Sequence, residues 1–371
     1  MENKNIYELL ESEIMKSDLS EEEKNKKLSK LLKARGQKIN LMLVGATGSG
    51  KSSTINALFN TKVAKVGVGV EPETADIECY QLENLTIWDT PGIGDGIEND
   101  KAHAEQIVRK LSEVDENGTP IIDLVMVIVD GSSRDLSATY EMINTVIIPS
   151  LTKENSNRIL IAVNQADLAM KGAHWDKENN CPDDELKDFL EKKCASIKER
   201  VLKSTGVEVE PIYYCAGYTD PSEYKNSESD GYNILSNSLN QMFGIKKNNE
   251  GNENNEANQT EPGETKEYCK PYNLTKLLYH IILSLPAEKR MAIAENLNDD
   301  KSMWQYDDNE TNYHDAISQS FGEVLWDSVS DYAEKGVVYG GAILGMPGAI
   351  VGSVIGGTVG AIVGVFKGLF G

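Results

Sequence analysis

One stretch constrains this chain more than any other. The apolar run Ile39-Asn40-Leu41-Met42-Leu43-Val44 leads into Gly45-Ala46-Thr47-Gly48-Ser49-Gly50-Lys51-Ser52, and Ser53-Thr54-Ile55-Asn56-Ala57-Leu58-Phe59 follows. The first run reads as a buried strand and the last as a helix, so the octapeptide joins a strand to a helix. It fits the pattern G-x-x-x-x-G-K-[ST]. Its glycines let successive backbone N–H groups turn inward on a polyphosphate, and the helix N-terminus behind them favours negative charge. The pattern puts Lys51 on the terminal phosphates and the Ser52 hydroxyl on Mg²⁺. Gly45, Thr47, Gly48, Ser49, Gly50 and Ser53 complete the expected phosphate-binding set.

From residue 37 strands and helices alternate. Strands are expected at 39–44, 77–82, 85–89, 122–129, 158–163 and 207–215, and helices at 51–59, 101–114, 135–147, 184–204 and 272–284. That order predicts a three-layer α/β fold with a mostly parallel sheet and helices on both faces. Residues 1–36 are charged but nearly balanced, with Ile6, Leu9, Leu10, Ile14, Leu28, Leu31 and Leu32 at helical spacing; a helical N-terminal arm follows, with docking one use for it. Residues 246–267 are rich in Asn and Glu with almost no large apolar side chain, which predicts a disordered insertion. Residues 286–335 are expected to be an acidic helical segment. Within it, 299–335 carry ten acidic and two basic residues. Ile317, Phe321, Val324, Leu325 and Tyr332 recur on one face, the charged face being either solvated or a binding surface.

The formal net charge is −22, from 37 basic and 59 acidic residues, which argues against broad contact with a nucleic-acid backbone. Five scattered cysteines without a C-x-x-C pair give neither a disulfide framework nor a zinc site and fit a reducing, cytoplasmic setting. The charged N-terminus is not expected to act as a secretory signal.

The later motifs choose the nucleotide. Asp89-Thr90-Pro91-Gly92 ends the strand Leu85-Thr86-Ile87-Trp88; Asp89 there can bind the Mg²⁺ shell and the Gly92 N–H can sense a γ-phosphate. Thr74, in the loop between first helix and second strand, either closes over Mg²⁺ when triphosphate is bound or is an ordinary surface threonine. Asn164-Gln165-Ala166-Asp167 follows the strand Arg158–Val163. The Asp167 carboxylate can accept from the N1–H and 2-amino group of guanine, which adenine cannot offer.

The ordered set Gly45–Ser52, Thr74, Asp89–Gly92 and Asn164–Asp167 resembles the nucleotide boxes of translation-factor-class GTPases, roughly over residues 37–285. Cys215-Ala216-Gly217 resembles the last, weaker box, which implies that the Ala216 N–H meets guanine O6. The S-S-T-I-N-A-L continuation and D-T-P-G-I are similar to Era-like, 50S ribosome-binding GTPases. A closer likeness is to prophage-type bacterial GTPases, with more distant similarity to septin and Toc GTPases. The resemblance implies a G domain that binds GTP and GDP with Mg²⁺ and hydrolyses GTP. Lys51, Thr74, Gly92 and Arg134 would stand at the reacting phosphate, and Ser52, Thr74 and Asp89 at the metal.

Three positions depart from the family pattern. Gln165 replaces the usual lysine over the base. Ile93 follows Gly92 where Ras-like proteins carry a water-orienting glutamine. Gly48 stands where potassium-activated relatives have asparagine. Arg134 lies after the fourth strand, in a region where septin- and Toc-like relatives place an arginine at a nucleotide-facing dimer contact. It either reaches a nucleotide across a homodimer or pairs with Asp130 or Asp135 on the surface. Met170–Asp176 either lids the base, contacts a partner, or folds about its own Trp175.

The last segment, 336–371, has twelve glycines in 36 residues. Gly348, Gly352, Gly356, Gly360, Gly364 and Gly368 recur at four-residue intervals, a stripe that lets helices approach closely. In water each such glycine costs about 1 kcal/mol relative to alanine, whereas a bilayer enforces internal backbone hydrogen bonding. Residues 348–366 carry no charge and are long enough to span a hydrocarbon core, with Lys367 at the border. Membrane association is expected; a zipper packed on the protein itself or a flexible tail is the alternative. The chain thus reads as a GTP-controlled switch linked to a membrane or to self-assembly. Its rivals are a ribosome-associated Era-like GTPase and a GTP-binding scaffold that barely hydrolyses.

Overall fold

The computed structural model describes residues 6–60, 65–68, 77–92, 97–151, 158–217, 269–322, 324–325 and 364–370. Seven strands form the main sheet: β1 (Ile39–Gly45), β2 (Lys65–Val68), β3 (Glu78–Gln81), β4 (Leu85–Asp89), β5 (Leu124–Asp130), β6 (Ile159–Asn164) and, after a two-stranded ribbon of β7 (Trp175–Asp176) and β8 (Cys181–Pro182), β9 (Ile212–Tyr213). Their order is β2-β3-β4-β1-β5-β6-β9. β4, β1, β5, β6 and β9 run parallel, while β2 and β3 add an antiparallel edge. The central strands are covered on both faces, so Leu124–Val129 and Ile159–Asn164 are buried throughout, as continuous apolar runs require. The expected strand at 207–215 shrinks to Ile212–Tyr213, followed by a bridge between Cys215 and Tyr272.

The helices are α1 (Ile6–Lys16), α2 (Glu21–Arg35), α3 (Lys51–Leu58), α4 (Ile97–Ser112), α5 (Ser137–Met142), α6 (Ile148–Ser150), α7 (Asp184–Thr205), α8 (Leu274–Leu283), α9 (Ala287–Ala294) and α10 (Tyr313–Gly322). The single helix expected over 135–147 is interrupted. A π-helical turn, Ile143–Ile147, separates α5 from α6 just before Pro149, which has no N–H to continue a regular ladder. α7 has clean ends. The Asp183 carboxylate accepts from the Glu185 and Leu186 N–H groups, and Gly206 closes the C-terminus at φ +74°.

The N-terminal helices are integrated rather than extended. Ile6, Leu10 and Ile14 recur every four residues and, with Tyr7, Leu31 and Ala34, are buried in the same core as Leu41, Leu43, Ile87 and Ile128. α2 starts on a capping box in which Ser20 and Glu23 exchange hydrogen bonds. Leu9 and Leu32, from the same predicted stripe, stay at the surface.

The acidic segment also joins this core. It forms α9, a short 3₁₀ turn at Lys301–Trp304 and α10, which ends at Gly322. Ile317, Phe321 and Leu325 are buried, as the periodicity predicts; Tyr332 lies outside the described residues. The acids are not uniformly solvated. Asp308 is buried between Lys276 Nζ at 2.5 Å and the Tyr313 hydroxyl at 3.0 Å, and burial pushes the Asp307 carboxyl upward.

Met1–Ala216 with Pro271–Gly371 cluster as one compact unit, and Gly217–Lys270 as a second. The second is described only at Gly217, Cys269 and Lys270. The expected insertion at 246–267 lies outside the described residues, as does most of the glycine-rich tail.

The tail's end is described. A helical turn begins at Gly364, and Phe366 and Phe370 are buried. Phe366 meets Phe321 with ring centroids 5.2 Å apart; Phe370 stacks on His314 at 4.7 Å and meets Trp304 edge-on at 5.7 Å. Lys367 Nζ lies 2.5 Å from Asp315. Lys367 was expected at a membrane border, and here it closes an ion pair on α10. Among the described residues no helix is long and apolar enough to cross a membrane.

Candidate nucleotide-binding site

Parallel pairing brings the C-terminal ends of four strands to one edge. Leu43 stands opposite Asp89, Gly45 opposite Ile128, and Asp130 opposite Asn164. The loops leaving those ends face the same crevice, where open α/β sheets bind ligands.

The phosphate loop leaves β1 at Gly45 and enters α3 at Lys51. Gly50 caps that helix at φ +88°, and a Cβ there would stand 2.2 Å from Asn164 Nδ2. Only glycine meets both demands. Lys51 is buried, and its ammonium donates to the Gly45 and Ala46 carbonyls at 3.2 and 3.4 Å. The Ser52 hydroxyl donates to Asp89 Oδ2 at 2.8 Å. Asp89 Oδ1 and Ser49 Oγ are buried with no hydrogen-bond partner among the described residues. Burial pushes the Asp89 carboxyl up, while the Ser52 hydrogen bond and the Lys51 charge pull it down. A buried carboxylate oxygen with open lone pairs beside a hydroxyl suits a hard divalent cation, so Ser52 and Asp89 fit Mg²⁺.

At the other end, Asn164 is the hub. Its Nδ2 donates to the Ser49 carbonyl at 3.0 Å, and its Oδ1 accepts from the Ala216 N–H at 3.0 Å. One amide therefore ties the phosphate loop to the loop after β9. That pairing alters an expectation: the Ala216 N–H is spent on Asn164, so its contact with guanine O6 is not preformed. Gln165 adopts φ +60°, rare for a side chain of its size. Its amide donates to the Gly48 carbonyl at 2.7 Å, placing it as a strap on the phosphate loop rather than free to lie over a base. Asp167 and Ala216 are buried beside it.

Gly92 lies directly against the phosphate loop, since a Cβ there would stand 2.1 Å from Thr47 Oγ1. Ser53 points outward from α3. Arg134 is exposed. Its two candidate surface partners are engaged elsewhere: Asp130 accepts from Ser132 and Ser133, and Asp135 from the Ser137 N–H. Thr74 and Ile93 lie outside the described residues. Met170, Lys171 and His174, all at positive φ, lead into the β7–β8 ribbon, where Trp175 packs edge-on to Tyr272 at 5.4 Å.

Two features of the site have no local signal in the sequence. Lys193, from the middle of α7, donates to the carbonyls of Gly131 at 2.6 Å and Ser133 at 2.7 Å, pinning the loop that carries Arg134. The hydroxyls of Thr54 and Tyr214 meet at 2.5 Å beneath the phosphate loop. Both join residues far apart in the chain, so no window of sequence contains them.

Residues 40–165 match the family described as 50S ribosome-binding GTPase. Human Septin-12 is 40% identical over 78 residues, 18% of this chain and 22% of its own length. Cell division control protein 10 of Candida albicans is 36% identical over 98 residues, 23% of this chain and 27% of its own. The chain thus spans about a quarter of the length of the curated relatives it matches. Among solved structures, the G domain of the T. maritima FeoB iron transporter aligns at TM-score 0.27 and 16% identity, over 48% of this chain and 89% of that one. Toc33 from Arabidopsis thaliana in complex with GDP and Mg²⁺ aligns at TM-score 0.35 and 17% identity, over 51% and 78%. The match over residues 40–165, on a sheet whose crossing loops form the cradle described above, makes this fold that of a P-loop GTPase G domain.

Proposed function

We propose that this protein binds GTP with Mg²⁺, hydrolyses it slowly to GDP and phosphate, and uses the nucleotide state as a switch. The observation that carries this reading is the buried Asp89 Oδ1, without a hydrogen-bond partner among the described residues, beside Ser52 at the mouth of the phosphate loop. Ser52, Asp89 and Thr74 would hold Mg²⁺, which when bound offsets charge on the phosphate oxygens. Lys51 exchanges its two loop carbonyls for phosphate oxygens. Asp167 selects guanine through its paired donors, leaving an adenine base with no match for the buried acid. Gly92, seated on Thr47, must shift to admit a γ-phosphate, which makes the Asp89–Gly92 loop and the Thr74 loop the switching elements.

Ile93 offers no group to orient water, so hydrolysis as a monomer is slow. Arg134, exposed on a loop pinned by Lys193, would reach a nucleotide held by a second copy and stabilise transition-state charge; its exposure supports that role. Residues 336–363, ahead of the buried Phe366 and Phe370, form the membrane-seeking or self-associating output. Flotation of the full chain and of a chain lacking that segment on liposomes, with GDP and a non-hydrolysable GTP analogue, tests the output. Calorimetric titration with GDP and ADP tests the nucleotide; equal affinity for both would end the guanine reading. Phosphate release per molecule should rise with protein concentration and lose that rise in Arg134→Ala.

A further inference from the structure

The crevice leaves one buried polar group without a role. Tyr214, between β9 and the loop that carries Ala216, is fully buried, and so is Thr54 in the first turns of α3. Their oxygens are 2.5 Å apart. The Thr54 hydroxyl also lies 2.7 Å from the Gly50 carbonyl, which accepts the Thr54 backbone N–H at 2.9 Å as well. A hydroxyl has one proton. With the Thr54 proton directed to Gly50, Tyr214 is the donor to Thr54, and burial keeps the phenol protonated by pushing its ionisation far up. The result is a one-way relay, Tyr214 O–H to Thr54 O–H to Gly50 C=O, inside the core.

The relay's ends are informative. Gly50 is the left-handed cap on which the phosphate loop turns. Tyr214 sits two residues before Ala216, and its own carbonyl accepts from the Ala166 N–H at 3.2 Å, next to Asp167. Asn164 joins the same two loops across the top of the crevice; the relay joins them from below. Two ties at different depths fix the tilt of one loop against the other, which one tie cannot do. A polar relay is not needed to fill this space, since phenylalanine and valine would occupy it without a buried hydroxyl to satisfy.

We propose that Thr54 and Tyr214 are a positioning pair that holds the phosphate loop in register with the base-recognition loop, so that a guanine nucleotide meets both ends at once. The inference rests on the guanine-nucleotide reading of this site. Neither residue touches the nucleotide; both act through Gly50 and through the Ala166–Asp167 turn.

The test uses the full chain with Mg²⁺ and two probes. GDP spans both loops, whereas inorganic pyrophosphate reaches only the phosphate loop. Tyr214→Phe and Thr54→Val should each weaken GDP binding by about five- to thirtyfold, the range for one buried hydrogen bond. The double variant should be little worse than either single one, because both cut the same relay. Pyrophosphate should keep its affinity within about twofold, and Thr54→Ser, which keeps the hydroxyl, should restore GDP binding. Unchanged GDP affinity in the single variants would overturn the proposal. So would equal losses for GDP and pyrophosphate accompanied by a lowered ligand-free melting temperature, which mark a purely structural role. If the unaltered chain binds no GDP, the guanine reading itself fails and the pair's role falls with it.

Discussion

The nucleotide edge and the aromatic clasp at the C-terminus solve opposite problems. At the edge the chain bends through a left-handed Gly50 and a left-handed Gln165, and buries Asp89 Oδ1 and Ser49 Oγ without partners among the described residues. At the clasp Phe366 and Phe370 fill a cup made by Phe321, Trp304 and His314, and the polar groups around it are satisfied: the Trp304 indole donates to Asn298 O at 3.0 Å, and Lys367 pairs with Asp315. One region holds open lone pairs and bent backbone in readiness for a ligand; the other is closed by apolar contact. Strain of the first kind persists only where the surrounding structure over-determines it. The helical segments that flank the G-domain core therefore act as its reserve of stability.

That division of labour can be broken in a graded series. Lys51→Ala should weaken GDP binding by about a thousandfold, by removing the buried cation that faces the phosphates. Its ligand-free unfolding midpoint should fall by less than that of Phe366→Ala, because it loses two loop-carbonyl hydrogen bonds and the attraction to Asp89; calorimetry with denaturant melts reads both. Phe366→Ala should do the reverse, losing about 3–5 kcal/mol of stability for a fully buried phenyl while leaving the GDP dissociation constant within about twofold. A Phe366→Ala protein that stays folded but loses nucleotide would erase the distinction between the two regions.

Acid should weaken the reserve through one buried histidine. His280, on α8, is held down to about 4, first by burial and then by the Lys276 charge. The unfolded chain takes up a proton there near pH 6.5, whereas the folded one stays neutral until about 4. Stability is therefore complete above pH 6.5 and falls as pH drops from 6.5 toward 4. His280→Phe should flatten that slope in melts recorded between pH 4 and 7. The smallest effect belongs to the half-exposed ion pair on the clasp: Lys367→Met should change stability by less than about 1 kcal/mol.

Legibility in the sequence followed locality. The phosphate loop, β4 with Asp89, and the α7 helix are each encoded in one contiguous window, and their predicted bounds agree with the structure to within a residue or two. The Asn164 box was readable as a motif, but its use was not. Its amide is spent on Ser49 and Ala216 rather than on the base, a fact that depends on three strands arriving at one edge. The same holds for Lys193, Tyr214 and Thr54. The acidic segment stays open in the sequence between a solvated face and a binding surface, because composition records charge and not partners. Asp308 is acceptable in the interior only because Lys276, Asn273 and Tyr313 converge on it. The interrupted helix after Ser137 was missed because a π-turn changes the hydrogen-bond ladder and leaves the apolar periodicity almost intact.

The clasp has a topological consequence for the glycine-rich stretch. Leu325 is buried in the same core as Phe366, and Phe321 touches Phe366 ring to ring. The described chain on either side of residues 326–363 is therefore held in one body. While the clasp holds, any bilayer engaged by the chain between those two anchored ends would be crossed an even number of times or not at all. An odd number of crossings would first require the C-terminal phenylalanines to leave their cup.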